Sequence, residues 1–203
     1  MVNYIHYGIT EEFQECSLET LKKEVDLHPD EVTTYEDIYT LGEKWHKTIE
    51  ANKYKVGLFI YGDNGTGKSS FGCYLMCKFL KSGKHADRMT MARVQEHFFK
   101  EWKIPVIALR KSPLFLEEIG KEYTTKNEHS SSILEYILKY RIERKFPTII
   151  SANASIKDII VRYGATVESL LRGKYLPIQF PPVNLRLRSS RKNIQELKEI
   201  DNG

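Results

Sequence analysis

The sequence has no apolar run near the roughly 18 residues that a membrane-spanning helix requires, which argues against a helical membrane protein, and no membrane partner is expected. Its first residues, Met1-Val2-Asn3-Tyr4-Ile5-His6-Tyr7, lack the basic-then-apolar layout of a secretory signal, so the expected location is the cytoplasm. Three cysteines, Cys16, Cys73 and Cys77, are too few and too uneven for a disulfide framework and fit a reducing compartment. Cys73 and Cys77 stand four apart with no Cys/His cluster near them, so they read as buried structural thiols rather than a metal pair. The six histidines are scattered without metal-ligand spacing. There is no internal repeat and no low-complexity segment. Charge of one sign is also modest: the net charge is +4, milder than a dedicated nucleic-acid-binding domain usually shows. The bias gathers at the end, in Arg186, Arg188, Arg191 and Lys192. That tail reads either as a solvated, partly disordered end or as a nucleic-acid contact.

What is present organises around one stretch. Gly62-Asp63-Asn64-Gly65-Thr66-Gly67-Lys68-Ser69 matches the phosphate-binding pattern G-x-x-x-x-G-K-[ST]. The three glycines let the backbone turn tightly and bring its N–H groups to phosphate oxygens. A helix starting near Lys68 aims the positive end of its dipole at the same phosphates, with Ser70 in its first turn. Lys68 is expected to reach the β- and γ-phosphates of ATP, and the Ser69 hydroxyl to ligate Mg²⁺. The context supports this over a chance Gly-rich turn. Val56 to Tyr61 reads as a buried strand before the loop, and Ser70 to Leu80 as a helix after it.

A chain of 203 residues suggests one domain with a small appendage. Residues 1–50 form a helical N-terminal segment, 51–183 the nucleotide-binding core and 184–203 a basic tail. In the first segment, Thr10–Phe13 and Ser17–Thr20 look like helix starts, and Asp26 to Glu31 reads as a loop. Thr33-Thr34-Tyr35-Glu36 resembles a capping box opening a helix to about Glu50. This segment is too small to fold alone and is expected to pack beside the core or bind a partner. After the phosphate loop come a short strand over 88–91, an amphipathic helix over 92–102 and an ambiguous apolar stretch over 104–108. Leu114-Phe115-Leu116-Glu117-Glu118-Ile119-Gly120 has the form of a Walker B element, in which a strand ends in two carboxylates. Glu117 is the candidate Mg²⁺ holder, acting through a metal-bound water because its side chain is longer than the usual Asp. Glu118 is the candidate general base. An exposed loop follows over 121–129, then a helix over 130–144 and a buried strand over 148–152. Asn153 at its end is placed to sense the γ-phosphate or orient the attacking water, or else is a turn asparagine. Ser155 to Tyr163 reads as a helix capped by Ser155 and closed by Gly164, followed by a short helix over 166–172 and a strand over 175–180. Strands alternating with helices predict an α/β fold, a parallel sheet covered by helices on both faces, with nucleotide at the strands' carboxyl ends.

Taken together, Gly62 to Ser69, Leu116 to Gly120, the helix Ile137 to Arg144 followed by Pro147-Thr148-Ile149-Ile150-Ser151-Ala152-Asn153, and Tyr163-Gly164 followed by Val167 to Arg172 resemble the bacterial replicative-helicase loaders of the DnaC/DnaI type and their IstB-like relatives. The resemblance covers about Leu58 to Leu187. It implies an AAA+ ATPase that binds a hexameric replicative DNA helicase, helps place it on single-stranded DNA, and acts as a homo-oligomer. It puts Asn153 at the sensor-1 position and Arg172 near the arginine finger that reaches a neighbouring subunit's ATP, with Arg162 a weaker substitute. It puts Arg186 or Arg188 at sensor 2. Leu170 stands where the family often has an arginine. The N-terminal region has no cysteine-rich metal knuckle, and the stretch between Trp102 and Leu114 is short, so the single-stranded DNA contacts stay unassigned. The compact length suits a phage-encoded loader working in the bacterial cytoplasm. Three other readings remain: an IstB-like transposition helper on duplex DNA, a nucleotide-dependent switch with little turnover, and a small-molecule phosphotransferase. The last lacks an arginine-rich lid, because Arg141 and Arg144 lie on a helix.

Overall fold

The computed structural model describes residues 3–53, 56–120, 129–153 and 156–200. Five strands form one parallel sheet: β1 (Gly57–Tyr61), β2 (Asp87–Thr90), β3 (Leu114–Ile119), β4 (Thr148–Ala152) and β5 (Tyr175–Gln179), in the order β2-β3-β4-β1-β5. Side chains alternate across it, as the two-residue period of a strand demands. Leu58, Ile60, Phe115 and Ile149 face one apolar layer, and Phe59, Leu114, Leu116 and Ile150 face the other. The first layer is closed by α1 (Leu18–Glu24), α2 (Pro29–Glu50) and α3 (Lys68–Lys81). The second is closed by α4 (Met91–Glu101), α5 (Val106–Leu109), α6 (His129–Glu143) and α7 (Ile156–Lys174). With both faces covered, the strands read as continuous apolar runs. Pro177 in β5 is tolerated because β5 is an edge strand.

Close approach fixes Gly72. A Cβ on Gly72 would stand 2.3 Å from the Phe115 ring, so only glycine lets α3 lie this tightly on β3. From the opposite side, Arg141 of α6 is fully buried. Its guanidinium donates to the carbonyls of Arg110 (2.7 Å), Ser112 (2.8 Å) and Pro147 (2.7 Å) and to Thr148 Oγ1 (2.7 Å), tying α6 to the starts of β3 and β4. Arg141 is therefore a clamp inside the core and not part of a lid.

Several expectations shift. Helix α2 starts at Pro29, not Thr33, because Pro suits the first helical position and the His28 N–H donates to Glu31 at 2.8 Å. Residues 29–31 are thus helical rather than loop. The stretch over 104–108 resolves into the short α5. The tail is not a loose end: α8 (Leu185–Ile200) is helical. It is fastened to the N-terminal segment, where Arg188 donates to both Glu31 oxygens (2.6 and 3.0 Å) and Lys192 to the Lys23 carbonyl (2.9 Å). Gly164 breaks the helical path as expected, at φ 83° and ψ 172°, so α7 consists of two helices joined at a kink. The expected Ser155 cap and most of the 121–129 loop lie outside the described residues. Among the described residues no helix is long and apolar enough to cross a membrane.

Candidate functional site

The strand order puts β1 between β4 and β5, while the chain leaving β1 travels to the far edge at β2. A crevice at the carboxyl ends of the strands results, the usual place for a ligand in an open α/β sheet. The stretch Gly62–Gly67 leaves β1 there and enters α3. Gly62, Gly65 and Gly67 adopt φ of 144°, 79° and 90°, conformations that L side chains rarely reach. The cavity above the loop, about 550 Å³, is lined by Asn64 through Ser70 and, from the other strands, by Glu118, Ser151 and Asn153.

Lys68 is nearly buried, and its Nζ donates to three neutral oxygens: the carbonyls of Gly62 (2.8 Å) and Asp63 (2.5 Å) and Thr66 Oγ1 (3.4 Å). A buried ammonium facing dipoles suits an anion. The loop is braced from outside the core. Tyr35 of α2, fully buried, donates to the Thr66 carbonyl at 2.9 Å. Burial raises its phenol pKa above the usual value, so Tyr35 stays a neutral donor. On the other side the Leu185 N–H donates to the Gly65 carbonyl at 2.9 Å, so α8 begins on the loop. Arg188 and Glu31 join the two braces, and that hydrogen bonding holds the Glu31 carboxyl below its usual range.

Glu118 sits at φ 58°, strained for a side chain with a Cβ. The strain marks a bulge. Leu116 pairs with Ile150 and Ile119 with Ala152, so β3 carries one residue more than β4. The bulge returns Ile119 to the core and leaves Glu118 lining the cavity, its N–H donating to Ser151 Oγ at 3.1 Å. The end of β3 is pinned again where the Gly120 N–H donates to the Tyr163 hydroxyl at 2.7 Å.

The two carboxylates differ. Glu117 is 2% exposed and does not line the cavity; Arg88 of β2 donates to its Oε2 through Nε at 2.8 Å, with Nη2 2.6 Å away. Of the arginines, Arg186 lines the cavity and Arg188 is held by Glu31. Arg172 is exposed on α7, ion-paired with Glu168 at 2.6 Å, and is not at this chain's own cavity. Gly62 and Asp63 form the loop's base, supplying carbonyls to Lys68. Sequence reasoning missed Tyr35, Ser151, Arg88 and the N-terminal wall that Glu12, Phe13, Leu21 and Glu24 give the cavity. Only Ser151 had a local signal, its place two residues before Asn153 at the end of a buried strand.

The fold and site define an α/β P-loop core, a five-stranded parallel sheet covered by helices with the phosphate loop at the strands' carboxyl ends. Among solved structures the chain is similar to DnaI, at TM-score 0.67 and 18% identity over 87% of this chain and 94% of that one. It is similar to the DnaC helicase loader at TM-score 0.66 and 19% identity, over 85% and 100%. AMPPCP-bound DnaA from Aquifex aeolicus follows at TM-score 0.58 and 16% identity, over 91% and 56%. At these identities the likeness is one of fold. No protein-family model matches the sequence, and no curated protein sequence matches it significantly.

Proposed function

We propose that this chain is an ATP-hydrolysing helicase loader that binds a hexameric replicative DNA helicase and assists its placement on single-stranded DNA. The observation that carries the reading is the meeting of the phosphate loop, Glu118 and Asn153 around one cavity. Backbone N–H groups of Gly62 to Gly67 and the Lys68 ammonium hold the β- and γ-phosphates, with Ser70 beside them. The Ser69 hydroxyl suits a hard cation and would hold Mg²⁺, which Glu117, now bound to Arg88 outside the cavity lining, would join through a water only on leaving Arg88. Bound there, Mg²⁺ supplies charge neutralisation at the phosphates. Glu118 accepts a proton from the attacking water as its oxygen bonds to the γ-phosphorus and the bond to the β-phosphate oxygen breaks. Asn153 orients that water. Arg172, exposed on α7, serves the neighbouring subunit's site in a homo-oligomer, which makes turnover slow in the isolated chain. Residues 1–50 provide the helicase contact, 51–183 the ATPase core and 184–203 a basic tail whose helix α8 lines the cavity. The likeness to DnaI and to the DnaC helicase loader supports the loader reading over other P-loop activities. The burial of Arg141 argues against a phosphotransferase lid.

The test is capture of a purified replicative helicase by the tagged chain with ATP, with ADP and without nucleotide. Nucleotide-sensitive capture is the expected result. No capture in any state, together with stronger binding to duplex than to single-stranded DNA, would replace the loader reading with the transposition-helper one.

A further inference from the structure

We infer that Arg88 is a positioning residue that latches residues 3–25 over the nucleotide cavity, and that latching and nucleotide binding oppose each other. The inference rests on the reading of the cavity as an ATP site. Arg88 joins three parts of the molecule. Its Nε and Nη2 hold Glu117 Oε2, its Nη1 donates to the Gly8 carbonyl at 2.8 Å, and its guanidinium carbon lies 4.9 Å from the centre of the Phe13 ring. The approach is tight, since a Cβ on Gly8 would stand 2.7 Å from the Arg88 carbonyl. Past this anchor the segment becomes a wall of the cavity, with Glu12, Phe13, Leu21, Glu24 and Val25 facing the loop.

Two features of the latched state disfavour a polyphosphate. Two carboxylates, Glu12 and Glu24, stand in the wall of a cavity that must accept several negative charges. Glu117 is engaged by Arg88 instead of being turned to the cavity. Nucleotide with Mg²⁺ therefore favours a state in which Glu117 exchanges Arg88 for the metal site and the wall moves away. Linkage is reciprocal: whatever factor the nucleotide takes from the latch, the latch takes from nucleotide affinity. The N-terminal segment would thus be presented to a partner in the nucleotide-bound state and held down otherwise.

The experiment is amide hydrogen exchange of the full chain, read on peptides covering residues 3–25, without ligand and with the β,γ-methylene analogue of ATP plus Mg²⁺. Binding of the analogue is measured in parallel by calorimetry. Removing Arg88 alone leaves Glu117 buried and unpaired, which is strongly destabilising. The latch is therefore cut in the double variant Arg88→Met/Glu117→Gln, and separately at its other end by Phe13→Ala, which leaves the Arg88–Glu117 pair in place. In the wild type the analogue is expected to speed exchange over residues 3–25 by about tenfold, as a sub-global opening does. In Phe13→Ala the same peptides exchange faster from the start, and the analogue binds about three- to tenfold more tightly. In the double variant they exchange fast with and without the analogue. Binding of the analogue with unchanged exchange over residues 3–25 overturns the latch and leaves the ATP site standing. Failure of the wild type to bind the analogue at all overturns the ATP site, and the latch with it.

Discussion

Substituting Tyr35 by Phe removes one oxygen from α2, 31 residues away in sequence from the loop it supports. The structure gives the consequence. The Thr66 carbonyl loses a 2.9 Å hydrogen bond in a place where Thr66 is only 1% exposed. A buried acceptor left without its donor costs about 1–2 kcal/mol, which in a chain of this size lowers the melting temperature by about 2–8 °C. A second effect concerns the ligand. In a trans peptide the carbonyl and the following N–H point opposite ways, so anchoring the Thr66 carbonyl on Tyr35 aims the Gly67 N–H away from α2. Freed from that anchor, the peptide samples other orientations, and ATP affinity falls by about three- to tenfold. Calorimetric titration with Mg·ATP, beside a thermal melt, reads both. A lowered melting temperature with affinity within about twofold of wild type would refute the claim that Tyr35 orients the loop.

Glu118→Gln keeps the side chain's shape and removes its proton-accepting charge, so ATP binding is retained while steady-state phosphate release falls by at least about a hundredfold. Equal turnover in the two proteins would remove Glu118 from the mechanism. Arg141→Met leaves the carbonyls of Arg110, Ser112 and Pro147 without their donor and, at about 1–2 kcal/mol for each orphaned acceptor, costs about 3–5 kcal/mol, measured as a shift in the urea midpoint. Arg188 lowers the pKa of Glu31, so the pair contributes stability above the ordinary glutamate range and loses it as pH falls through the depressed value. The melting-temperature gap between wild type and Glu31→Gln is accordingly expected to be widest near pH 6–7 and to close below about pH 4.

What was legible in the sequence follows from distance along the chain. Gly62 to Ser69 is contiguous, so its spacing alone announces the loop and the helix it opens. The continuous apolar runs of β1, β3 and β4 likewise announce a buried parallel sheet. The kink at Gly164 needs only the freedom of glycine. By contrast, Tyr35–Thr66, Arg88–Glu117 and Glu31–Arg188 join residues 31, 29 and 157 positions apart, and nothing local marks either partner. The helical state of α8 was hidden for the same reason. Its basic residues look like a solvated tail until Arg188 and Lys192 find their partners in the N-terminal segment. The start of α2 was missed because Thr33 and Thr34 look like better caps than His28. Pro29 and the reach of Glu31 back to the His28 N–H decide it. Glu117 and Glu118 look equivalent in sequence. The bulge at Glu118, which sends one carboxylate to the cavity and leaves the other on Arg88, depends on the pairing with β4.

The most direct test of the central claim is calorimetric titration of Mg·ATP into the wild-type chain and into Lys68→Ala. If the crevice at the carboxyl ends of β1, β3 and β4 is an ATP site, the wild type binds with one-to-one stoichiometry, and the variant, still folded by its melting profile, shows no measurable heat. Undiminished binding by Lys68→Ala would place the nucleotide elsewhere on the molecule and contradict the account.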